Sequence, residues 1–178
     1  MKPFITGKTI DLRPLLLSDI EGDYVNWFND WEVCQFNAHH VYPYNRELAA
    51  QYIADLQKQK DTLVLAIVTK DGLHIGNVSL QDINYVNRSA ALAIILGNKD
   101  YWGKGIGKEA SALLVRHGFE ALNLHRIYCG TSALNVPMQK LALKLCMQEE
   151  GRRKEAMYKD GAWVDIIEYG LLRADFRS

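Results

Sequence analysis

Three glycines at alternate positions mark the segment with the clearest potential for chemistry. The segment IILGNKDYWGKGIGKEA spans residues 94–110 and carries Gly103, Gly105 and Gly107 between an apolar strand and an amphipathic helix. Glycine allows positive φ and close approach of a ligand, so that successive backbone N–H groups point into one concavity. The helix N-terminus adds free N–H groups and partial positive charge, and Lys104 and Lys108 add full charges. The pattern predicts a binding site for a pyrophosphate.

Two common phosphate-binding motifs do not fit this segment. A P-loop ends in G-K-S/T after a glycine and four spacer residues, whereas here Gly107 and Lys108 are followed by Glu109 without that glycine. A dinucleotide-binding motif requires GxGxxG in the first βαβ unit of a domain. The glycine spacing here differs, and the segment lies in mid-chain after predicted antiparallel hairpins. Both motifs are poor fits.

The composition excludes several classes of protein. The 178 residues contain 21 Lys and Arg and 21 Asp and Glu, a zero net charge that argues against a role in binding nucleic acid or an anionic membrane. Cys34, Cys129 and Cys146 are odd in number and lack CxxC spacing, which indicates neither a disulfide framework nor a thiolate zinc site. The chain starts without a signal-peptide core, and no apolar run reaches the roughly 20 residues needed to span a bilayer. We expect one cytoplasmic domain over residues 1–178.

The elements that position the glycine segment follow from hydrophobic period and turn residues. Ser18 and Glu21 have capping-box spacing and predict a helix that continues to Asn29, while residues 31–44 have no clean period. The strand at 88–96 is apolar on both faces and is therefore expected near the centre of a sheet. The order is β-α-α-β-β-β-α-β-α-β-β, an α/β (α+β) fold with helices on the faces of a mixed sheet. The predicted strands cover residues 9–14, 62–69, 74–83, 88–96, 125–131 and two runs ending near 172; the helices cover 18–29, 46–59, 106–122 and 135–146.

These features together resemble the Gcn5-related N-acetyltransferase (GNAT) family. The family motif for the acetyl-CoA pyrophosphate is R/Q-x-x-G-x-G/A, and WGKGIG at residues 102–107 matches both glycine positions. The sequence LRPL at residues 12–15 is similar to the RimJ/RimL-like subgroup. The segment NVPMQKLALKLCM, which starts at Asn135, resembles the family's second motif. The resemblance covers residues 9–172.

The resemblance implies a GNAT fold, in which a mostly antiparallel central sheet is flanked by helices and splays at its central strands. It also implies acetyl-CoA as co-substrate and no metal. Pantetheine would lie in the splay as a surrogate strand, and a backbone N–H near Ile95 or Leu96 would stabilise the oxyanion. Asn135 would meet the pantetheine arm and Lys140 the CoA phosphates, although a helix cap and a surface charge explain these two equally well. The expected coenzyme-binding residues are Ile95, Leu96, Trp102, Gly103, Lys104, Gly105, Ile106, Gly107, Lys108, Asn135 and Lys140.

Three positions that handle protons in many family members carry inert side chains here. Ala91 occupies the position of a strand Glu, Ala142 that of a Tyr acid, and Met138 that of a Ser. A lysine-like amine costs roughly 4–5 kcal/mol to deprotonate at pH 7, whereas an α-amine costs about 1.4 kcal/mol. The missing carboxylate therefore favours an acceptor amine of low pKa.

Other side chains could replace the missing groups. The candidates for acid–base catalysis are His40, Asp82 and Tyr128, each of which also has an ordinary interpretation as a surface, turn or strand residue. The aperiodic segment at 31–44 corresponds to the region that shapes the acceptor pocket in the family, and we expect Asn37, His39 and Tyr42 to bind the acceptor. The adjacent histidines lack a third ligand for a metal.

The resemblance predicts transfer of the acetyl group of acetyl-CoA to a primary amine, either a protein N-terminal α-amine or the amine of a small molecule. A nucleotide-linked amino sugar is one alternative acceptor. A CoA-binding module without catalysis is another alternative, because the usual acid and base positions are vacant. We expect a monomer or homodimer that binds neither nucleic acid nor membrane.

Overall fold

An eight-stranded sheet runs through the computed structural model, which describes residues 2–177. The strands lie side by side in the order β1-β2-β3-β4-β5-β6-β8-β7. Their bounds are β1 Ile5–Thr6, β2 Ile10–Pro14, β3 Leu63–Thr69, β4 His74–Asn84, β5 Ser89–Ile95, β6 Arg126–Ser132, β7 Gln148–Lys159 and β8 Ala162–Leu172. The apolar strand β5 lies in the interior of the sheet, as predicted.

In residues 2–177, five α-helices pack on this sheet or connect its strands. Their bounds are α1 Tyr24–Trp27, α2 Trp31–Cys34, α3 Arg46–Leu56, α4 Ile106–Glu120 and α5 Val136–Lys144, with 3-10 turns at Leu17–Glu21, Lys99–Tyr101 and Arg173–Asp175. Within residues 2–177, no helix is long and apolar enough to cross a membrane.

The pairing of β5 with β6 is parallel and short. It joins Ser89 to Arg126, Ala90 to Ile127 and Ala91 to Tyr128. All the other strand pairs are antiparallel. The mostly antiparallel sheet that splays at its central strands confirms the predicted fold class.

Each face of the sheet carries its own hydrophobic core. On one face, Leu114 and Phe119 of α4 pack with strand residues such as Ile127. On the other face, Tyr24 of α1 and Ile53 of α3 belong to a smaller core. Alternation of side chains along each strand supplies both cores from the same sheet.

The predicted helix at 18–29 is broken into a 3-10 turn and the short helix α1. Asp19, and not Ser18, caps the first turn, because its carboxylate accepts a hydrogen bond of 2.8 Å from the Leu16 N–H. The same carboxylate accepts two hydrogen bonds from the Arg13 guanidinium, at 2.6 and 2.8 Å. Gly22 then adopts an extended conformation that ends the turn. A buried ion pair with β2 therefore overrides the local helical pattern.

Candidate active site

A cleft opens where β5 and β6 separate. Pairing of the two strands ends at Ala91 and Tyr128, and residues beyond this point, from Leu92 on β5 and from Gly130 on β6, line a cavity of about 780 Å³. This volume lies within the range of small-molecule and coenzyme sites. The strand residues that line the cavity are Leu92, Ala93, Ile94, Ile95 and Leu96 of β5 and its end, and Gly130, Thr131 and Ser132 of β6.

The glycine turn forms one wall of this cleft. Gly103 has φ of 72° and Gly105 has φ of 80°, which lie in the left-handed region that L side chains rarely adopt. A Cβ at either position would meet no atom within 4 Å. Glycine is therefore needed at these two positions because of the positive φ. There is enough space at both for a side chain. Gly105 is also the residue from which α4 begins.

Side-chain hydrogen bonds hold both ends of the turn. The Trp102 indole Nε1 donates to the carbonyl oxygen of Leu96 at 2.7 Å. At the start of α4, Glu109 accepts hydrogen bonds from the backbone N–H of Thr9, at 2.8 Å, and from the Thr9 hydroxyl. Burial acts to raise the pKa of Glu109, but these hydrogen bonds outweigh it and hold the pKa below its ordinary value. The turn is thus attached to β5 and to β2.

Three lysines contribute positive charge to the cleft. Lys108 lies in the first turn of α4, and Lys140 and Lys144 lie one turn apart on α5. The i, i+4 spacing of the α5 pair places both lysines on one face of the helix. That spacing was the signal that could have added Lys144 to the predicted site. Together with the helix N-terminus, the three ammonium groups suit a ligand with several phosphates.

The opposite end of the cleft is formed by α2 and the residues after it. Its lining residues there are Glu32, Val33, Gln35, Phe36, Asn37 and Ala38, together with Met157 of β7. Lys99 anchors α2, because its Nζ lies 2.8 Å from the Asp30 carboxylate and 2.6 Å from that of Glu32. The hydrogen bond from Lys99 lowers the pKa of Asp30. Glu32 was not predicted from the sequence, because no local motif marks it.

Most of the predicted coenzyme-binding residues meet at this cleft. Those that line it are Ile95, Leu96, Trp102, Gly103, Gly105, Gly107, Lys108, Asn135 and Lys140. Two do not: Lys104 lies over the Tyr101 ring, with Nζ 5.5 Å from its centroid, and Ile106 is buried in the core. Asn135 also caps α5, since its Oδ1 accepts from the Met138 N–H at 3.1 Å. Its contact with pantetheine stays a prediction.

The three candidates for acid–base catalysis all lie outside the cleft lining. His40 and Asp82 are exposed and have positive φ of 63° and 50°. Asp82 lies where the pairing register of β4 with β5 shifts. Tyr128 is the last residue of β6 that pairs with β5, before the cleft opens. None of the three is among the described residues that line the cleft.

The predicted acceptor residues are divided between the cleft and the surface. Asn37 lines the cleft, whereas Tyr42 is 83% exposed. The His39 ring packs edge-on against Phe28, with centroids 4.8 Å apart, and desolvation together with the nearby Lys159 charge lowers the pKa of its imidazole. His39 therefore supports the loop from outside the cleft wall.

The three positions with inert side chains have different environments. Met138 lines the cleft, Ala142 is fully buried, and Ala91 is the last residue of β5 that pairs with β6. In the part of the chain that the structure describes, no three His, Cys, Asp or Glu side chains are grouped to hold a metal ion. The cleft thus offers backbone groups and lysines for a phosphorylated ligand.

Comparison with known proteins places the chain among N-acetyltransferases. It is 29% identical over 163 residues to the spermidine N(1)-acetyltransferase of Escherichia coli (strain K12), an alignment that covers 91% of this chain and 85% of the relative. The structure superposes on spermidine N-acetyltransferase from Vibrio cholerae in complex with CoA and spermine, with a TM-score of 0.86, 23% identity, and coverage of 94% and 97%. For Mycobacterium smegmatis RimJ in complex with CoA-disulfide, the TM-score is 0.85 at 20% identity, with coverage of 95% and 84%.

The family assignment comes from a separate comparison. A family model of the acetyltransferase (GNAT) domain matches residues 9–148. This match includes the glycine turn and both strands of the fork, and it confirms the resemblance noted in the sequence. The chain therefore belongs to the GNAT family of N-acetyltransferases.

Proposed function

We propose that the protein transfers the acetyl group of acetyl-CoA to a primary amine of a small, positively charged molecule. The observation that carries this proposal is the fork between β5 and β6, which has the glycine turn on one side and α2 on the other. The first side suits a diphosphate and the second side is left for the acceptor.

Acetyl-CoA is the co-substrate. Its diphosphate would bind the backbone amides of Trp102 to Lys108 at the start of α4, where Gly103 and Gly105 provide the required conformation. Lys108 and Lys140 would neutralise the phosphates. The pantetheine arm would then extend along the edge of β5 that no longer pairs with β6, towards the acceptor end.

The reaction needs few protein side chains. The neutral amine attacks the thioester carbonyl carbon, the N–C bond forms and the C–S bond breaks. An N–H of β5 near Ile95 or Leu96 would donate to the carbonyl oxygen while it carries negative charge. The amine proton and the CoA thiolate combine to give the free thiol. Because backbone groups perform the main electrostatic task, the apolar sequence of β5 is compatible with catalysis.

A small cationic amine fits the acceptor end best. Glu32 lines this end, and its carboxylate is paired with Lys99 but can accept further hydrogen bonds, which favours a substrate with a second positive charge. The match to a spermidine N(1)-acetyltransferase over 91% of the chain supports the same substrate class. A protein N-terminal α-amine is the second candidate, because its low pKa suits a site without a carboxylate at Ala91.

The test is a turnover assay with a panel of acceptors. Release of free CoA thiol would be measured with spermidine, N-terminal peptides, amino-sugar nucleotides and internal-lysine peptides. Turnover with spermidine supports the proposal, and turnover with N-terminal peptides alone supports the second candidate. Calorimetry provides the control: tight CoA binding without turnover on any amine would identify a CoA-binding module, and activity on internal lysines alone would overturn both acceptor classes.

A further inference from the structure

A carboxylate lies against the wall of the fork at a position that no acid–base motif marks. Gly130 of β6 lines the cleft and is directly opposite Glu168 of β8 in the antiparallel pairing. A methyl group on Gly130 would lie 3.0 and 3.1 Å from the two carboxylate oxygens of Glu168. The side chain of Glu168 therefore extends over the one residue of this wall that has no side chain.

This carboxylate lies on the same face of the sheet as Ala91. Directly paired residues share a face, and residues two apart on a strand share it as well. Ala91 pairs with Tyr128, Tyr128 is two residues from Gly130, and Gly130 pairs with Glu168. The intervening residues Ile127 and Cys129 pack in the core beneath α4. Glu168 thus occupies the opposite face, on which Val33 of α2 packs against the smaller core and also lines the acceptor end of the cleft.

An arginine orients the group. The Arg153 Nε donates a hydrogen bond of 2.6 Å to Glu168, whose side chain is 29% exposed. One carboxylate oxygen accepts this hydrogen bond, which leaves the carboxylate able to accept from a second donor. A fixed, charged acceptor of this kind suits an ammonium group.

We propose that Glu168 binds the incoming amine of the acceptor at the fork. Its carboxylate accepts a hydrogen bond from the amine and places the nitrogen beside the edge of β5 that no longer pairs with β6. In this way β8 supplies the negative charge that Ala91 cannot supply. The inference rests on the proposed function, since it requires an amine acceptor, and it adds a specificity-determining residue to that function.

The test compares E168Q with a matched variant on the same strand. Asp165 of β8 also pairs with an arginine, Arg152, at 3.1 Å, and its side chain is 28% exposed. Asp165 lies on the opposite face of β8, so that D165N changes the same kind of pair away from the acceptor end. We expect E168Q to raise the KM for spermidine about tenfold, and D165N to change it less than twofold. Both variants should bind CoA as the wild type does.

A third variant moves the carboxylate without removing its charge. In G130A the new methyl group would displace the Glu168 carboxylate, and we expect the KM for spermidine to rise in the same direction as in E168Q. Unchanged KM and kcat in E168Q for every amine that the wild type acetylates would overturn the inference while leaving the proposed function in place.

Calorimetry with spermidine and the CoA-loaded protein separates the two proposals. If the wild type binds spermidine without turnover and E168Q binds it about tenfold more weakly, the assignment of Glu168 stands and the acetyltransferase proposal for this amine fails. Equal binding by both proteins, or no binding by either, overturns the assignment of Glu168.

Discussion

The indole Nε1 of Trp102 donates a hydrogen bond of 2.7 Å to the carbonyl oxygen of Leu96. Leu96 follows the last residue of β5, and Trp102 opens the glycine turn. The bond spans six residues and fixes the turn relative to the strand on which the thioester would lie. The position of the proposed diphosphate site is therefore coupled to the position of the fork by one donor and one acceptor.

Removal of this bond tests that coupling. We expect Trp102→Phe to raise the KM for acetyl-CoA three- to tenfold, because the turn loses its attachment to β5, and to lower the free energy of unfolding by about 1 kcal/mol. Steady-state kinetics and thermal unfolding measure the two effects. Trp163→Phe is the control, since Trp163 lies on β8 and is 63% exposed. An unchanged KM in Trp102→Phe would contradict the coupling.

The glycine turn makes a second prediction possible with a closely matched control. Gly105 and Gly72 have φ of 80° and 94°, and a methyl group added at either position would have no atom within 4 Å. Substitution by Ala should cost about 1–2 kcal/mol at each position through backbone strain. Only Gly105→Ala should also weaken CoA binding, by tenfold or more in calorimetry. Equal CoA affinity of the two variants would argue against Gly105 as part of the diphosphate site.

A third prediction concerns the buried ion pair beneath α1. The side chains of Arg13 and Asp19 are 12% and 5% exposed. Asp19→Ala leaves Arg13 without its partner, and we expect a loss of about 3–5 kcal/mol in chemical denaturation. Glu21→Ala removes the exposed pair with Arg46 and should cost less than about 1 kcal/mol. Similar losses in the two variants would show that burial does not set the strength of the Arg13 pair.

Histidine burial predicts that the protein becomes less stable at acid pH. Burial lowers the pKa of His74 below its ordinary value of 6.5, and the charge of Asp19 only partly opposes this. Below pH 6.5 the unfolded chain therefore binds a proton that the folded protein resists, and stability is lost as the pH falls towards the folded pKa. His39 and His117 have lowered pKa values as well and add to the same slope.

The measurement is the melting temperature between pH 7.5 and pH 5. We expect His74→Asn to reduce the slope of melting temperature against pH, whatever its effect on absolute stability. His40→Asn is the control, because His40 is exposed and Asn tolerates its positive φ. A slope in His74→Asn equal to that of the wild type would contradict the assignment.

The sequence predicted the parts of the molecule that depend on local patterns. Gly103 and Gly105 mark a turn that needs positive φ, and β5 is apolar because both of its faces are covered. These features place the fork and the coenzyme side of the cleft without knowledge of distant contacts. The element order, and with it the family resemblance, follows from the same local signals.

The acceptor side depended on contacts between distant residues and could not be predicted in this way. Glu32 reaches the cleft because Lys99, 67 residues later in the chain, holds α2 in place. Glu168 meets Gly130 only through the register of β6 with β8. By contrast, Tyr128 is a strand residue of suitable chemistry, but it lies one step before the fork opens. The part of β6 that lines the cleft begins at Gly130, so that two residues along the strand separate the structural tyrosine from the cleft wall.

The pairing of β5 with β6 covers only three residues on each strand. The sheet therefore consists of a five-stranded part, β1 to β5, and a three-stranded part, β6 to β8, which are joined by this short pairing. A ligand that fills the cleft between β5 and β6 also protects the chain from local opening and proteolysis. We expect the protein to be degraded more slowly in the cell when the coenzyme is abundant.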